Sequence, residues 1–181
     1  IMLRGNERKD IFFDEQDRLR FLDTLNRMGS NGEFEIYAYC LMNNHVHLLF
    51  RKGKDPIERS IKRVAVSYVY YFNRKYGRIG HLFQDRFKSE GIEDDSYLIS
   101  CTKYIHNNPV KAGLIDKAIQ YKWSSFRQYV SCDKNPIFNI NINFVLSLYS
   151  QDIKKAEKLF IKDSDTECRD IFLDYEDDCL Q

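Results

Sequence analysis

The sequence holds four histidines, at 45, 47, 81 and 106, and sets two of them in one apolar run, "LMNNHVHLLF" at residues 41–50. If that run is a strand, side chains alternate between faces. His45, His47 and Leu49 then share one face, and Val46, Leu48 and Phe50 share the other. The two imidazoles stand roughly 7 Å apart along such a strand. Both can ligate one metal ion, or they can form a hydrogen-bonded pair with no metal. Imidazole nitrogen alone favours zinc or another transition metal. Chemistry on phosphodiesters more often uses magnesium or manganese with oxygen ligands added. A second stretch, "CTKYIHNNPVKAGL" at residues 101–114, sets Tyr104 and Asn108 four apart. That spacing puts them on one face of a helix. Tyr104 is then either a nucleophile, with Asn108 reaching the same metal as the histidines, or a packing residue that continues the stripe of Tyr97 and Cys101.

Those side chains need a sheet and helices to position them. Residues 1–4 are apolar and "RGN" reads as a turn out of a first strand. Asp14 followed by Asp17 has the form of an N-cap with an acidic first turn. Leu19, Leu22, Leu25 and Met28 then recur at helical spacing, and Gly29 closes that helix. "FEIYAYCLM" is rich in strand formers. "NN" at 43–44 predicts a tight turn and "HVHLLFR" the returning strand of a hairpin. Pro56 suits the first turn of a second helix. Its apolar stripe is 57, 61, 64, 65, 68, 69 and 72, with Arg59, Lys62, Arg63, Arg74 and Lys75 on the other face. "RFKSEGI" at 86–92 is expected to be a short strand. Ser96 is expected to cap a helix bearing Leu98, Cys101 and Ile105, with Tyr97 and Tyr104 on adjoining stripes, and Pro109 to end it.

The order β-α-β-β-α-β predicts an α+β, ferredoxin-like fold: an antiparallel sheet with helices on one face and the histidines on the open face. An additional helix carries Tyr104. Many functions use this fold, so it argues for none. Residues 110–135 read as loop-rich, with a short helical piece near "WSSFRQYV". Two short helices are expected within 139–162, and a partly mobile acidic end from Asp163. The expected organisation is a domain over 1–130 and an acidic, helical extension over 131–181.

Composition narrows the classes. The 181 residues are 43% hydrophobic and 30% charged, ordinary for a globular protein. No apolar run approaches the roughly 18 residues that span a membrane, so no membrane role is expected. The start has no apolar core of a signal peptide, and its abrupt apolar opening points to an upstream piece of the first strand. Five widely spaced cysteines, with no CxxC, argue against a disulfide framework or a cysteine zinc site and for the reducing cytoplasm. Net charge is +1, but residues 1–130 carry 22 basic and 16 acidic residues, and 131–181 carry 6 and 11. A basic body suits an anionic partner; ordinary charge scatter is the alternative.

In combination, "YAYCLMNNHVHLLF", "GHLFQDRF", "YIHNNPVKAGL" and "YKWSSFRQY" resemble the single-tyrosine HUH transposase superfamily, and within it the REP-associated tyrosine transposases. The resemblance covers about residues 1–130. It implies a ferredoxin-like core, a divalent metal (Mg2+ or Mn2+) on His45 and His47 with Asn108 as a further ligand, and Tyr104 as nucleophile. The implied activity is cleavage and strand transfer of single-stranded DNA, often beside a hairpin, through a 5′-phosphotyrosine link and a free 3′-OH. Members of the superfamily act as monomers or homodimers. Tyrosine, with a pKa near 10, needs help to attack at neutral pH. A divalent ion can polarise the phosphate and steady the departing alkoxide. A covalent link conserves the bond energy for rejoining. Arg4, Arg86 and Lys88 flank these segments and are candidate phosphate contacts, with solvated surface charge as the alternative for each. His81 and His106 are assigned to structure.

Two other classes compete. A non-catalytic single-stranded nucleic-acid binder could stack bases on an exposed sheet, although no RNP-type aromatic motif is present. Such a binder would gain if Tyr104 were buried away from the histidines. An interaction protein could use the sheet as a partner surface.

Overall fold

The alternating run His45–Lys52 is a strand, β3, and it lies at the centre of the sheet. The computed structural model describes residues 1–84, 86–131, 136, 138 and 140–166. β1 (Met2–Arg4) and β2 (Phe34–Leu41) pair antiparallel on either side of β3, giving the order β1-β3-β2. The helices are α1 (Glu15–Ser30), α2 (Ile57–Tyr76), α3 (Asp95–Lys111), α4 (Phe126–Tyr129), α5 (Ile142–Tyr149) and α6 (Ile153–Ser164). The chain is therefore α+β, with a three-stranded antiparallel sheet and six helices among the described residues. None of those helices is long and apolar enough to cross a membrane.

Alternation sorts the side chains as the pattern predicts. Val46 and Leu48 pack with Leu41 and Tyr39 against Phe21 and Leu25 of α1 and Tyr68 and Phe72 of α2. Leu49 packs on the opposite side with Cys40. A bulge between Ile36 and Ala38 lets Tyr37 and Ala38 both face that second side before β2 resumes its alternation. This second face is not open. Leu98, Tyr104 and Ile105 of α3 cover it, joined by Phe126, Tyr129 and residues of α5 and α6. Helices lie on both faces of the sheet, and His47 is buried beneath one of them.

The expected strand at 86–92 is also corrected. Isolated bridges join Met2 to Lys88 and Gly5 to Phe83, so the segment runs antiparallel along β1. The two bridges are isolated, so the pairing is not a continuous ladder among the described residues. α3 begins two residues earlier than Ser96 suggested, because the Asp94 carboxylate accepts from the Tyr97 amide (2.8 Å). It also runs through Pro109 to Lys111. In that last turn Ala112 N–H donates to the Asn108 carbonyl, so the helical path continues past the missing proline donor.

The α1 start is a reciprocal capping box: the Asp14 side chain accepts from Asp17 N–H, and Asp17 accepts from Asp14 N–H. Asp17 is fully buried and also receives Lys75, Tyr71 and Tyr76. Burial works to raise its carboxyl, but Lys75 and the backbone donors win and hold it below the usual carboxylate range. At the end of α6, the Asp163 carboxylate takes Tyr149 and the buried Lys103 of α3. The acidic end beyond residue 166 lies outside the described residues.

Candidate functional site

His45 enters the site from the Asn43–Asn44 turn, and that turn is fastened to the loop after β1. The Asn44 carbonyl accepts from Gly5 N–H (2.7 Å), and the Asn43 carbonyl from Ile11 (2.8 Å) and Phe12 (3.2 Å). A side chain at Gly5 would place its Cβ 2.1 Å from the Lys9 carbonyl oxygen, so the close approach requires glycine. The Asn44 amide donates to the Arg8 carbonyl (3.0 Å), which turns its oxygen to within 2.6 Å of His45 Nδ1. With that oxygen as acceptor, Nδ1–H is the donor and Nε2 carries the ring's lone pair.

His47 follows two residues on, its ring 4.8 Å from that of His45 and nearly perpendicular to it. In the sheet register it stands between Met2 of β1 and Cys40 of β2. It is 4% exposed. Burial, aided by the positive charge of Arg4, lowers its pKa to about 3. A neutral imidazole is the form that binds a metal. The Cys40 thiol is pushed well above its ordinary range by burial, so it stays protonated.

Tyr104 meets His47 edge to face, with ring centroids 5.7 Å apart. It is 6% exposed, and Lys111 lies over its ring at 4.8 Å. Asn108 turns its amide back along α3 and donates to the Tyr104 carbonyl (3.0 Å). A cavity of about 380 Å³ opens beside this group, lined by His47, Tyr104, Met2 and Lys88, with Glu90 and Asp94 toward the start of α3. His45 and Asn108 are not part of its lining. The structure thus brings His45, His47 and Tyr104 into one chain of ring contacts, while Asn108 is tied to the tyrosine's backbone.

The donor set suits a divalent cation. Two adjacent imidazoles, one of them held neutral, supply nitrogen, and the Asn108 side chain has an amide oxygen to offer. Among the described residues no cluster of three or more His, Cys, Asp or Glu exists, so any further ligand from these residues would be a neutral oxygen, with substrate and water completing the shell.

Of the candidate phosphate contacts, Arg4 lies directly across the sheet from His45 in register, which puts its side chain on the same face. Lys88 is exposed at the cavity, held by paired backbone hydrogen bonds with Met2. Arg86 is exposed nearby in sequence and lines neither His47 nor Tyr104. His106 is a core residue: fully buried, Nε2 2.7 Å from Ser125 Oγ, and edge-on to Phe126 and Tyr129. His81 is exposed and belongs to a different groove.

Sequence reasoning missed Asn44 and Lys111. Both sit inside the quoted motifs, so polar residues flanking the histidines and the tyrosine were the available signal. It also missed how "WSSFRQY" works. That segment extends the edge of β2: Leu41 N–H donates to the Trp123 carbonyl, Ser125 N–H to the Tyr39 carbonyl, and Tyr129 OH to the Tyr37 carbonyl.

Comparison with known proteins identifies the family. A family model described as Transposase IS200 like matches residues 1–108. A protein of Haemophilus influenzae named as a REP-associated tyrosine transposase is 29% identical over 115 residues, which is 57% of this chain and 65% of that relative's length. A solved structure of a REP-associated tyrosine transposase bound to a REP hairpin superposes with a TM-score of 0.60 at 21% identity, covering 78% of this chain and 84% of that one. At that identity the likeness is one of fold. The family match takes in the histidine pair, Tyr104 and Asn108, and it spans more than half of the sequence: the chain belongs to the IS200-like transposase family.

Proposed function

We propose that the chain is a metal-dependent transposase-type enzyme that cleaves and rejoins single-stranded DNA through Tyr104. The observation that carries this reading is the run of ring contacts from His45 to His47 to Tyr104 beside a cavity that a phosphate can enter. We read the strand order, with the 83–88 segment edging β1, as the ferredoxin-like plan of such enzymes. His45 and His47 would hold the ion, with Asn108 as a further ligand. A bound Mg2+ or Mn2+ supplies Lewis-acid polarisation of the scissile phosphate and neutralises developing charge.

The chain's own residues do the rest. Tyr104 Oη attacks phosphorus, the bond from phosphorus to the 3′ oxygen breaks, and the phenolic proton ends on that oxygen. The products are a 5′-phosphotyrosine link and a free 3′-OH. Attack by another 3′-OH reverses the step and returns the tyrosine. Edge contact with His47 and the Lys111 ammonium fix the tyrosine ring, and Arg4 and Lys88 supply positive charge for the phosphates. All of these groups come from one chain, so a monomer suffices. Substrate beside a hairpin, and action in the cytoplasm where DNA is accessible, belong to the same reading.

A second reading draws on the burial of Tyr104, 6% exposed. It is a binder of single-stranded nucleic acid with no chemistry. The two are separated by incubating the protein with labelled single strands carrying hairpins from its own gene's flanks, with Mg2+ or Mn2+, on a denaturing gel. The enzyme gives a slow protein–DNA adduct that EDTA and Tyr104→Phe both abolish. Retention of DNA with no adduct under either metal supports the binder and removes the enzyme.

A further inference from the structure

A second groove, of about 630 Å³, runs between the outer face of α2 and the segment that follows it. Val66, Tyr70 and Arg74, spaced by four, form the helix side; Arg78, His81 and Phe83 are opposite. Val66 and Tyr70 are 59% and 69% exposed. Exposed apolar and aromatic side chains beside arginine call for a partner more than scattered surface residues do.

The groove is fixed in shape. The Asn73 amide donates to the Gly80 carbonyl (3.0 Å), and Arg78 N–H to the Asn73 carbonyl (2.9 Å). Gly77 and Gly80 take φ of +60° and +98°, which side chains disfavour. Asn6 N–H holds the far wall through the Leu82 carbonyl (2.8 Å).

Among the described residues its positive charge meets no carboxylate. Elsewhere on α2, Arg59 and Arg63 pair with Asp55 and Glu33, and Lys75 with Asp14 and Asp17. Among the described residues, Arg74 and Arg78 form no ion pair and the groove's lining holds no carboxylate. Guanidinium groups beside an exposed flat ring are the chemistry that binds single-stranded nucleic acid, by phosphate pairing and base stacking. A duplex keeps its bases stacked on each other and could not use the Tyr70 ring. The groove also leads toward the candidate site. Phe83 lines it, Lys88 lines the His47 cavity, and the residues they bridge, Gly5 and Met2, are three positions apart in extended chain, about 10 Å.

We propose that this groove is a second DNA site, holding single-stranded DNA that flanks the segment at Tyr104. Bases stack on Tyr70, and phosphates pair with Arg74 and Arg78. The inference rests on the transposase reading for its ligand, but not on the chemistry at Tyr104.

The test is binding of the full chain, in EDTA, to a labelled oligodeoxythymidine of about 20 nucleotides, a length beyond one roughly 4–16-nucleotide site. Tyr70→Ala with Arg74→Ala is expected to weaken binding about tenfold or more, and to lower the salt slope by roughly 0.7 for the lost arginine. Both side chains are exposed, and Arg74→Glu alone gives a second, graded variant. Independently, an oligonucleotide bearing 5-iododeoxyuridine should photocrosslink to Tyr70 in the unsubstituted chain, as mapped by mass spectrometry. Unchanged affinity in the variants, with normal adduct formation by the unsubstituted chain, overturns the groove and leaves the enzyme standing. Absence of both binding and adduct overturns both. Equal competition by duplex or polyglutamate, or a dimer in light scattering that Tyr70→Ala dissolves, assigns the groove to another occupant and also overturns the proposal.

Discussion

The two faces of the sheet are built on different terms. Toward α1 and α2, the strands present aliphatic side chains to a nest of aromatic rings, with Phe12, Phe21, Tyr68 and Phe72 in edge and tilted contact. The buried charges on that side, Asp17 and Glu33, are carboxylates paired with Lys75 and Arg63. Toward α3 the core holds His47, Lys103, His106, Ser125 and Gln128, all buried. Burying neutral imidazoles, which water would otherwise solvate, lowers stability. Both faces bury apolar cores, and the second gives up some of that stabilisation to keep polar groups in fixed, dry positions. Local breaches of the apolar rule concentrate where chemistry is done.

Neighbouring residues on β3 give the sharpest test of that division. His47→Ala should lower adduct formation by roughly a hundredfold or more, the scale expected when a metal ligand or its support is lost. Its cost in stability should be small, because an unwelcome polar group leaves the core with the cavity. Leu48→Ala, one residue on and facing α2, should cost about 3 kcal/mol of stability. It should leave adduct formation per folded molecule unchanged. Urea unfolding and single-turnover gels measure both. Equal stability losses from the two substitutions would erase the distinction between the faces.

A smaller effect follows from the histidines as titrating groups. Burial lowers the His106 pKa to about 3, against about 6.5 in the unfolded chain. Below pH 6.5 the unfolded state gains a proton that the folded state refuses. The stability associated with neutral His106 is therefore complete above pH 6.5 and is lost as pH falls toward 3. His47 acts in the same direction. Each should contribute a slope of about 1.4 kcal/mol per pH unit within that window. His106→Gln keeps a partner for Ser125 and should remove one such slope from a series of urea midpoints between pH 6.5 and 4. An unchanged slope would mean that His106 protonates without unfolding the second face.

The same division governs how much the sequence reveals. Periodicity exposed the first face almost whole, because apolar residues every three or four positions on α1 and α2, and every second on β3, report burial directly. Ile61, Val64, Tyr68 and Phe72 are buried as the pattern requires. The second face resisted that reading. α3 has no clean apolar stripe, since Thr102, Lys103 and His106 are buried among its hydrophobic residues. The partners of Lys103 and His106, namely Asp163, Ser125 and Phe160, are distant in sequence. The placement of Arg4 across from His45 depends on strand register, a long-range property. The edge at Phe83 and Lys88 rests on isolated bridges and lacks the alternation that marks a strand. His45, His47, Tyr104 and Asn108 stood out as residue types in recurring motifs, but the motifs did not show that Asn108 would turn to the Tyr104 backbone.

Lys111 lies at the low end of expected effects, and it tests whether the second face contributes more than position. Its ammonium sits 4.8 Å from the Tyr104 ring centroid, one helical turn past Asn108 in the final turn of α3. A cation over an aromatic face is attracted by the ring's quadrupole, which steadies the ring. It also favours the negative charge that the phenolic oxygen acquires when its proton leaves. Lys111→Met preserves the aliphatic packing and removes the charge. At about 1 kcal/mol for a partly exposed cation–π contact, the cleavage rate should fall roughly fivefold. Stability should change little, and Lys111→Arg should restore most of the rate. If Met and Arg variants both cleave as fast as the unsubstituted chain, the ammonium is an onlooker. The contact with His47 and the α3 backbone would then be what orients Tyr104.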